Sequence, residues 1–129
     1  MKYNDVVIKP VQYIKTRGDD IYQLFSNPPK EPIPLHYQYA QSKDKTTSLP
    51  QSTKIGEITN IHVKDEQFVC DVIVHDLIKL AHNFDGVIDN YRVKVTRGAG
   101  SERILEFIYF IIYDKKFKQE VDEYEKRRK

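Results

Sequence analysis

The 129-residue chain has one cysteine, no tryptophan and almost no excess of charge of either sign. Its single cysteine, Cys70, cannot form an intrachain disulfide, which is typical of proteins in a reducing compartment. Twenty-one basic residues against nineteen acidic ones leave a formal net charge of +2, too small to indicate a dedicated polyanion-binding protein. These scarcities predict an ordinary intracellular protein and argue against a nucleic-acid function.

Long apolar runs are also missing. The first ten residues, MKYNDVVIKP, lack the apolar core of a signal peptide. The longest apolar run, residues 104–113, is interrupted by Glu106 and is too short to span a bilayer. We therefore expect a soluble cytoplasmic protein with no membrane partner.

The composition fits one globular domain. With 40% hydrophobic and 31% charged residues, a chain of this length can bury a core without a metal or a disulfide. All six prolines lie in the first 50 residues, which divides the chain into unlike parts. We expect a strand and a short helix in residues 1–32, a sheet core in residues 33–113 and a helix in residues 114–129.

Residues 55–76 predict a β-hairpin with one apolar face. A turn at Asp65 and Glu66 gives the facing pairs Val63 with Phe68, Ile61 with Cys70 and Thr59 with Val72. Two further pairs, His62 with Val69 and Asn60 with Asp71, then lie on the opposite face. A slip of one residue would turn the apolar face to water, so the pattern favours this register.

Helices are predicted at three places. Asp19 or Asp20 can cap a short helix whose apolar face consists of Ile21, Leu24 and Phe25. Residues 77–84 repeat apolar side chains at helical spacing after Asp76, a favoured N-cap residue. In residues 114–129 one narrow apolar stripe can either dock on the sheet or bind a partner; it consists of Phe117, Val121 and Tyr124.

Strands are predicted at the remaining apolar stretches. Residues 3–8, 33–40 and 91–95 have the apolar content or the alternation of strands. Residues 103–113 are apolar at nearly every position, which indicates a central strand covered on both faces. Residues 41–54 are polar without an apolar period and predict a loop.

Metal and catalytic motifs are scarce. The histidines at positions 36, 62, 75 and 82 show neither His-x-x-x-His nor Cys-x-x-Cys spacing, so no metal site and no cofactor are predicted. Cys70 alternates away from His75 and is interpreted as a core residue, not a nucleophile. Ser101 lies in a glycine-containing turn that is neither a nucleophile elbow nor a Walker loop.

The order of elements after residue 31 resembles that of the phage prohead (capsid maturation) proteases, whose fold is shared with the herpesvirus assemblins. That family has a strand ending in aromatic-Gln-His-Asp, then a Pro-Ile-Gly strand with its hairpin partner. A leucine-rich helix, Gly-Leu-Ser-Ile-Gly-Tyr-Arg and a strongly apolar strand follow. The similar segments here are IPLHYQYA, KIGEITNIHV with its partner at 68–74, residues 77–84, GVIDNYR and residues 104–113.

The resemblance implies a scaffold that has lost the family's chemistry. The family's catalytic histidine falls on Tyr39 and its serine on Ile88, and neither side chain can replace a general base or a hydroxyl nucleophile. A relocated pair, His36 and Ser101, is the alternative that would keep a serine endopeptidase active.

These features predict an α+β fold with an antiparallel sheet of about six strands that can curl into a barrel. The resemblance implies a non-catalytic phage-type assembly or interaction protein, in the host cytoplasm or the virion. It would contact a capsid or scaffold component, or associate with itself through its C-terminal helix. A small nucleic-acid-binding phage regulator using the basic residues and the KRRK tail is a further alternative. The candidate contact residues are Tyr37, Tyr39, Arg92, Lys94, Arg97, Phe117, Val121 and Tyr124.

Overall fold

The computed structural model describes residues 2–12, 20–41, 50–76 and 86–127. The elements in chain order are β1 (Lys2–Gln12), α1 (Asp20–Ser26), β2 (Ile33–Gln41), β3 (Pro50–Lys64), β4 (Gln67–Val74), β5 (Val87–Ile88), β6 (Asn90–Arg97), β7 (Arg103–Tyr113) and α2 (Lys115–Arg127). The fold is therefore mixed α+β, as predicted. The helix predicted at residues 77–84 lies outside the described residues.

All seven strands belong to one curled sheet, in the order β5-β1-β4-β3-β2-β7-β6. Its two edge strands, β5 and β6, are consecutive in the chain and are separated only by Asp89. Val7 of β1 donates its amide to the carbonyl of Gly86 (3.2 Å), while the amide of Asp89 donates to Ile111 of β7 (2.9 Å). The sheet thus curls into a half-barrel whose two edges are bridged by one short chain segment.

The prediction of a purely antiparallel sheet is wrong. β1 pairs with β5 in parallel, and β2 pairs with β7 in parallel, whereas the other four pairings are antiparallel. A hairpin turn forces neighbouring strands to be antiparallel, but strands joined by a long connection can pair in either direction. Both parallel pairs join strands that are far apart in the sequence.

β3 and β4 form the predicted hairpin, with its turn at Asp65 and Glu66. The facing pair next to the turn, Val63 with Phe68, is confirmed. Phe68 is fully buried and Val63 is 44% exposed; on its other side, β3 pairs with β2 only as far as Ile58.

A bulge at Asn60 and Ile61 shifts the rest of this hairpin by one residue, so the predicted register is wrong beyond it. Ile58, and not Thr59, is the residue that faces Val72. Asn60 adopts a left-handed backbone with φ of 55°, which asparagine tolerates better than most residues. Because of the bulge, Ile58 and Ile61 both point into the core and are both buried.

The predicted loop at residues 41–54 is too long at both ends. Gln41 is the last residue of β2 and Pro50 is the first residue of β3, and these two are paired across the hairpin. Residues 50–54 are therefore strand. Main-chain hydrogen bonds between neighbouring strands do not require alternating apolar side chains. A strand with a polar sequence therefore gives no apolar pattern from which it could be predicted.

β7 is covered on both faces only in its last third, contrary to the prediction. It pairs with β2 from Phe110 to Tyr113, and its buried residues are Phe110, Ile111 and Ile112. Nearer its start, Ile104 is 40% exposed and Ile108 is 46% exposed. In the described part of the chain this stretch of β7 pairs with β6 alone, and α1 packs on it through the contact of Phe25 with Phe107.

The core fills the inside of the curl, and α1 packs against its rim. The helix begins at Asp20, as predicted, and its Phe25 is 1% exposed. Phe25 lies with ring centroids 4.9 to 5.9 Å from four other rings, those of Phe68, Tyr91, Phe107 and Phe110. Cys70 is also in the core, as predicted, and burial raises its pKa to about 12.

Candidate functional site

The hairpin of β6 and β7 projects beyond the sheet as a two-stranded ribbon, defined here as residues 93–97 and 103–108. β6 pairs with β7 along its whole length, from Asn90 with Ile111 to Arg97 with Arg103. β2 reaches β7 only at Phe110, so the ribbon has no third strand among the described residues. A two-stranded ribbon cannot bury both of its faces.

The ribbon presents large apolar side chains to water. Val95 is 48% exposed, Ile104 is 40% exposed and Ile108 is 46% exposed. Val95 is paired with Leu105 and Ile104 with Thr96, so Val95 and Ile104 lie on opposite faces of the ribbon. Three of the six large hydrophobic side chains that are exposed in the described part of the chain therefore lie on this ribbon. Such a concentration of exposed apolar surface indicates a contact surface more than scattered surface residues do.

The basic residues of β6 have hydrogen-bond acceptors or an acidic residue close by. Arg92 donates a hydrogen bond to the carbonyl of the preceding residue (3.1 Å), and Arg97 donates to a carbonyl of the tip loop (3.2 Å). Lys94 is exposed and lies directly opposite Glu106. The ribbon therefore does not present the uniform basic stripe that a phosphate backbone would favour.

A groove lies between the ribbon and α1, with a volume of about 500 Å³. Near the ribbon tip, Arg103 pairs with Asp20 of α1 (3.3 Å). Deeper in, Phe107 packs edge-to-face on Phe25 (4.9 Å between centroids). The groove is lined by Leu24, Asn27, Pro29, Glu31, Pro32, Ile33, Pro34, Leu105, Glu106 and Phe107.

A histidine and a serine meet on the outer face of β2 and β3. His36 Nδ1 and Ser52 Oγ are joined by a hydrogen bond of 3.0 Å. The His36 ring stacks on Tyr109, with centroids 4.1 Å apart and planes at 17°. Burial lowers the pKa of His36 below its ordinary value of 6.5, and the charge of Lys54 lowers it further. The imidazole is therefore neutral at pH 7 and can accept a proton.

The sequence did not predict this contact. His36 and Ser52 are 16 residues apart, and Ser52 fell in the stretch assigned to a loop. Had residues 50–54 been assigned to a strand, the pairing of β2 with β3 would have placed the two side chains on neighbouring strands.

The pair proposed from the family resemblance is not brought together. His36 is level with Ile111 on β7, whereas Ser101 lies beyond the other end of that strand. Ile111 is eight residue steps, or about 26 Å, from Arg103 at the start of β7, and Ser101 lies two residues beyond Arg103 in sequence. Tyr39 is 50% exposed and Ile88 is fully buried, so these two positions do not line one open cleft either.

Tyr37, one of the predicted contact residues, is buried and cannot serve as an exposed contact. Its side chain is part of the core, and its hydroxyl donates a hydrogen bond to the Asp114 carboxylate. The other oxygen of this carboxylate accepts a hydrogen bond from the amide of Lys116 (3.1 Å), which caps the N-terminus of α2. Tyr37 thus helps to fix where α2 begins.

The first turns of α2 are docked on the sheet. Lys118 Nζ lies 3.1 Å from the carboxylate of Asp89, whose side chain is only 5% exposed. The same carboxylate accepts the amide of Tyr113 (2.8 Å), and the Phe117 ring packs on Tyr113 with centroids 5.1 Å apart. Farther along the helix exposure increases: Val121 is half-buried and Tyr124 is 61% exposed.

Within the described ranges, no three histidine, cysteine or acidic side chains are grouped so that they could hold a metal ion. No helix in the same ranges is long and apolar enough to cross a membrane. Comparison of the chain with family models, with curated proteins and with solved structures gives no match. The features of the described residues that bear on function are the ribbon, the groove and the His36–Ser52 pair.

Proposed function

We propose that this chain is a non-catalytic protein-interaction module and that the ribbon is its contact surface. The observation that supports this is the exposure of Val95, Ile104 and Ile108 on a projection to which the described residues add no third strand. Each of these side chains leaves 40% or more of its surface in water. Burial against a partner would recover about 25 cal/mol for each Å² of apolar surface removed from water.

The open edges of the ribbon support the same proposal. β6 is an edge strand of the sheet, and β7 pairs on its other side only from Phe110 onward in the described part of the chain. Unpaired strand edges bind extended segments of other proteins through main-chain hydrogen bonds. An exposed edge beside exposed isoleucines is therefore suited to a protein partner.

As the biological setting we propose phage-type assembly, with a capsid or scaffold component as the partner, in the host cytoplasm or the virion. The support is the order of elements. β2, β3, β4 and β7 occur at the segments that resemble the prohead proteases, while Tyr39 and Ile88 stand where those enzymes have catalytic residues. Self-association through α2 is the second proposed mode, and the exposure of Tyr124 supports it.

A peptide display library tests the contact surface. Peptides are selected on the full chain and then counter-screened on two variants, Ile104→Ser/Ile108→Ser and Val63→Ser. Val63 is a matched control because it is 44% exposed on another hairpin. We expect selected peptides to lose about tenfold or more in affinity for the double variant and little for the control. Peptides that bind all three proteins equally would contradict the proposal.

A serine hydrolase is the second candidate, and the His36–Ser52 hydrogen bond is the observation that favours it. Neutral His36 would take the hydroxyl proton as Ser52 Oγ bonds to the carbonyl carbon of an ester or peptide. The bond to the leaving alcohol or amine then breaks, and the leaving group takes the proton from His36. Water would hydrolyse the acyl group left on Ser52.

A fluorophosphonate probe separates this candidate from the non-catalytic proposal. Labelling of Ser52 that is lost in His36→Gln and kept in Ser101→Ala would favour the hydrolase and contradict the non-catalytic proposal. We expect no labelling.

The nucleic-acid alternative is tested with DNA and RNA in mobility-shift assays at two salt concentrations, where a salt-sensitive shift would support it.

A further inference from the structure

The groove beside the ribbon has the geometry of a missing strand position. Three consecutive residues of β7, Leu105, Glu106 and Phe107, line it. Side chains alternate between the two faces of a strand, so consecutive residues can line one groove only along the strand's edge. The groove therefore runs along the edge of β7, beside the stretch that precedes its pairing with β2 at Phe110.

The opposite wall of the groove offers few main-chain donors that could compete for the hydrogen bonds of an incoming strand. Three of the seven lining residues outside β7 are prolines, Pro29, Pro32 and Pro34, and Leu24 and Ile33 add apolar side chains. Proline has no amide hydrogen, so this wall offers few donors and mainly apolar contact. An occupant would pair with β7 on one side and pack on prolines on the other.

The charge of the groove selects the occupant. Among the described residues, Glu31 and Glu106 are the charged residues that line it, and both are acidic. Lys30 adjoins Glu31 in sequence but does not line the groove, and Lys94 faces Glu106 from the neighbouring strand β6. A segment with basic side chains between apolar ones would therefore match both the walls and the rim.

We propose that the groove binds an extended segment of a partner protein, with alternating apolar and basic residues, which adds as a strand to the free edge of β7. This inference rests on the proposed protein-interaction function and names the chemistry of the partner at that surface. In the described part of the chain the free edge runs from Arg103 to Tyr109, which is seven residues or about 23 Å. Seven residues are therefore the length of the matching segment.

The probe is the capped heptapeptide Thr-Val-Lys-Val-Lys-Val-Thr, titrated into the ¹⁵N-labelled full chain and followed by NMR. Two matched peptides carry glutamate in place of both lysines, or proline in place of the central valine. The protein variants are Glu31→Lys/Glu106→Lys and, as a control on the exposed side of α2, Glu120→Lys. Both glutamates of the groove are exposed, so their replacement should leave the fold intact.

We expect the lysine peptide to shift the amide signals of residues 104–108 and to bind about fivefold or more tightly than the glutamate peptide. The double variant should reverse this preference and Glu120→Lys should not. The proline peptide should bind more weakly, because it lacks a main-chain donor. Equal binding of all three peptides, shifts elsewhere on the protein or no binding at all would overturn the inference.

The failure of this inference is distinct from failure of the proposed function. If the heptapeptides do not bind but library-selected peptides still depend on Ile104 and Ile108, the ribbon remains the contact surface and only the groove occupant is wrong. If neither kind of peptide depends on the ribbon, both proposals fall.

Discussion

Replacement of Phe25 tests how α1 is held against the ribbon. Its ring is 1% exposed and has four aromatic partners. Truncation of a buried phenylalanine to alanine costs about 3–5 kcal/mol of unfolding free energy. Aromatic pairs contribute about 0.5–1.5 kcal/mol each beyond their buried area. We therefore expect Phe25→Ala to lie at the upper end of that range, about 4–5 kcal/mol.

Such a loss is large for one domain, since total unfolding free energies are about 5–15 kcal/mol. Urea titration followed by circular dichroism and tyrosine fluorescence measures it; the chain has nine tyrosines and no tryptophan. Phe117→Ala is the control, because Phe117 is only half-buried, and its replacement should cost about 1–2 kcal/mol. Should Phe25→Ala fail to fold, Phe25→Leu should remain folded with a loss of about 1–1.5 kcal/mol. Equal losses for Phe25→Ala and Phe117→Ala would refute the role given to Phe25.

Three further predictions concern single groups. Cys70 is fully buried with a pKa raised to about 12, so thiol reagents at pH 8 should modify it only after denaturation, and rapid native labelling would contradict this. Burial lowers the pKa of folded His36 below 6.5, so the unfolded chain binds this proton more tightly. Unfolding free energy should therefore be highest above pH 6.5 and decrease as the pH falls through 6.5 towards the folded pKa. His36→Gln should flatten this part of the profile in urea titrations, and an unchanged slope would count against the assignment. Lys118→Met removes the cation 3.1 Å from the nearly buried Asp89 carboxylate and should cost about 3 kcal/mol. It should also speed amide exchange in α2, whereas the double variant with Asp89→Asn should lose less; a double variant as unstable as the single one would argue against the ion pair.

Sequence patterns correctly predicted those features that depend on residues close together in the chain. The turn at Asp65 and Glu66, the short helix containing Phe25 and the burial of Cys70 are all confirmed. Each of these depends on neighbours within one hairpin or one helix. Turn residues, capping residues and apolar spacing are sufficient for such features.

Long-range features could not be predicted from such patterns. The bulge at Asn60 adds one residue to a strand without interrupting its apolar content, so a continuous register was the natural interpretation. The parallel pairing of β2 with β7 joins Leu35 to Phe110, and no local signal specifies the direction of such a pair. That pairing begins late in β7, which is why Ile104 and Ile108 are exposed although their sequence suggests a buried strand.

In the candidate site, too, local features could be predicted from the sequence and long-range contacts could not. The basic residues of β6 and the C-terminal helix could be predicted from the sequence. The ribbon could not, because it forms where β2 stops pairing with β7. The meeting of His36 with Ser52 depends on a strand pairing that a polar stretch concealed. Tyr37 was expected at the surface, but its hydroxyl finds a partner in Asp114, 77 residues away.

The most direct test of the central proposal is an NMR titration of the ¹⁵N-labelled full chain with the tightest peptide from the display library. If the ribbon is the contact surface, the largest shift changes should fall on residues 93–97 and 103–108, and Ile104→Ser/Ile108→Ser should abolish them. Changes confined to α2 or to the turn at residues 65–66, with the ribbon signals unmoved, would contradict the proposal.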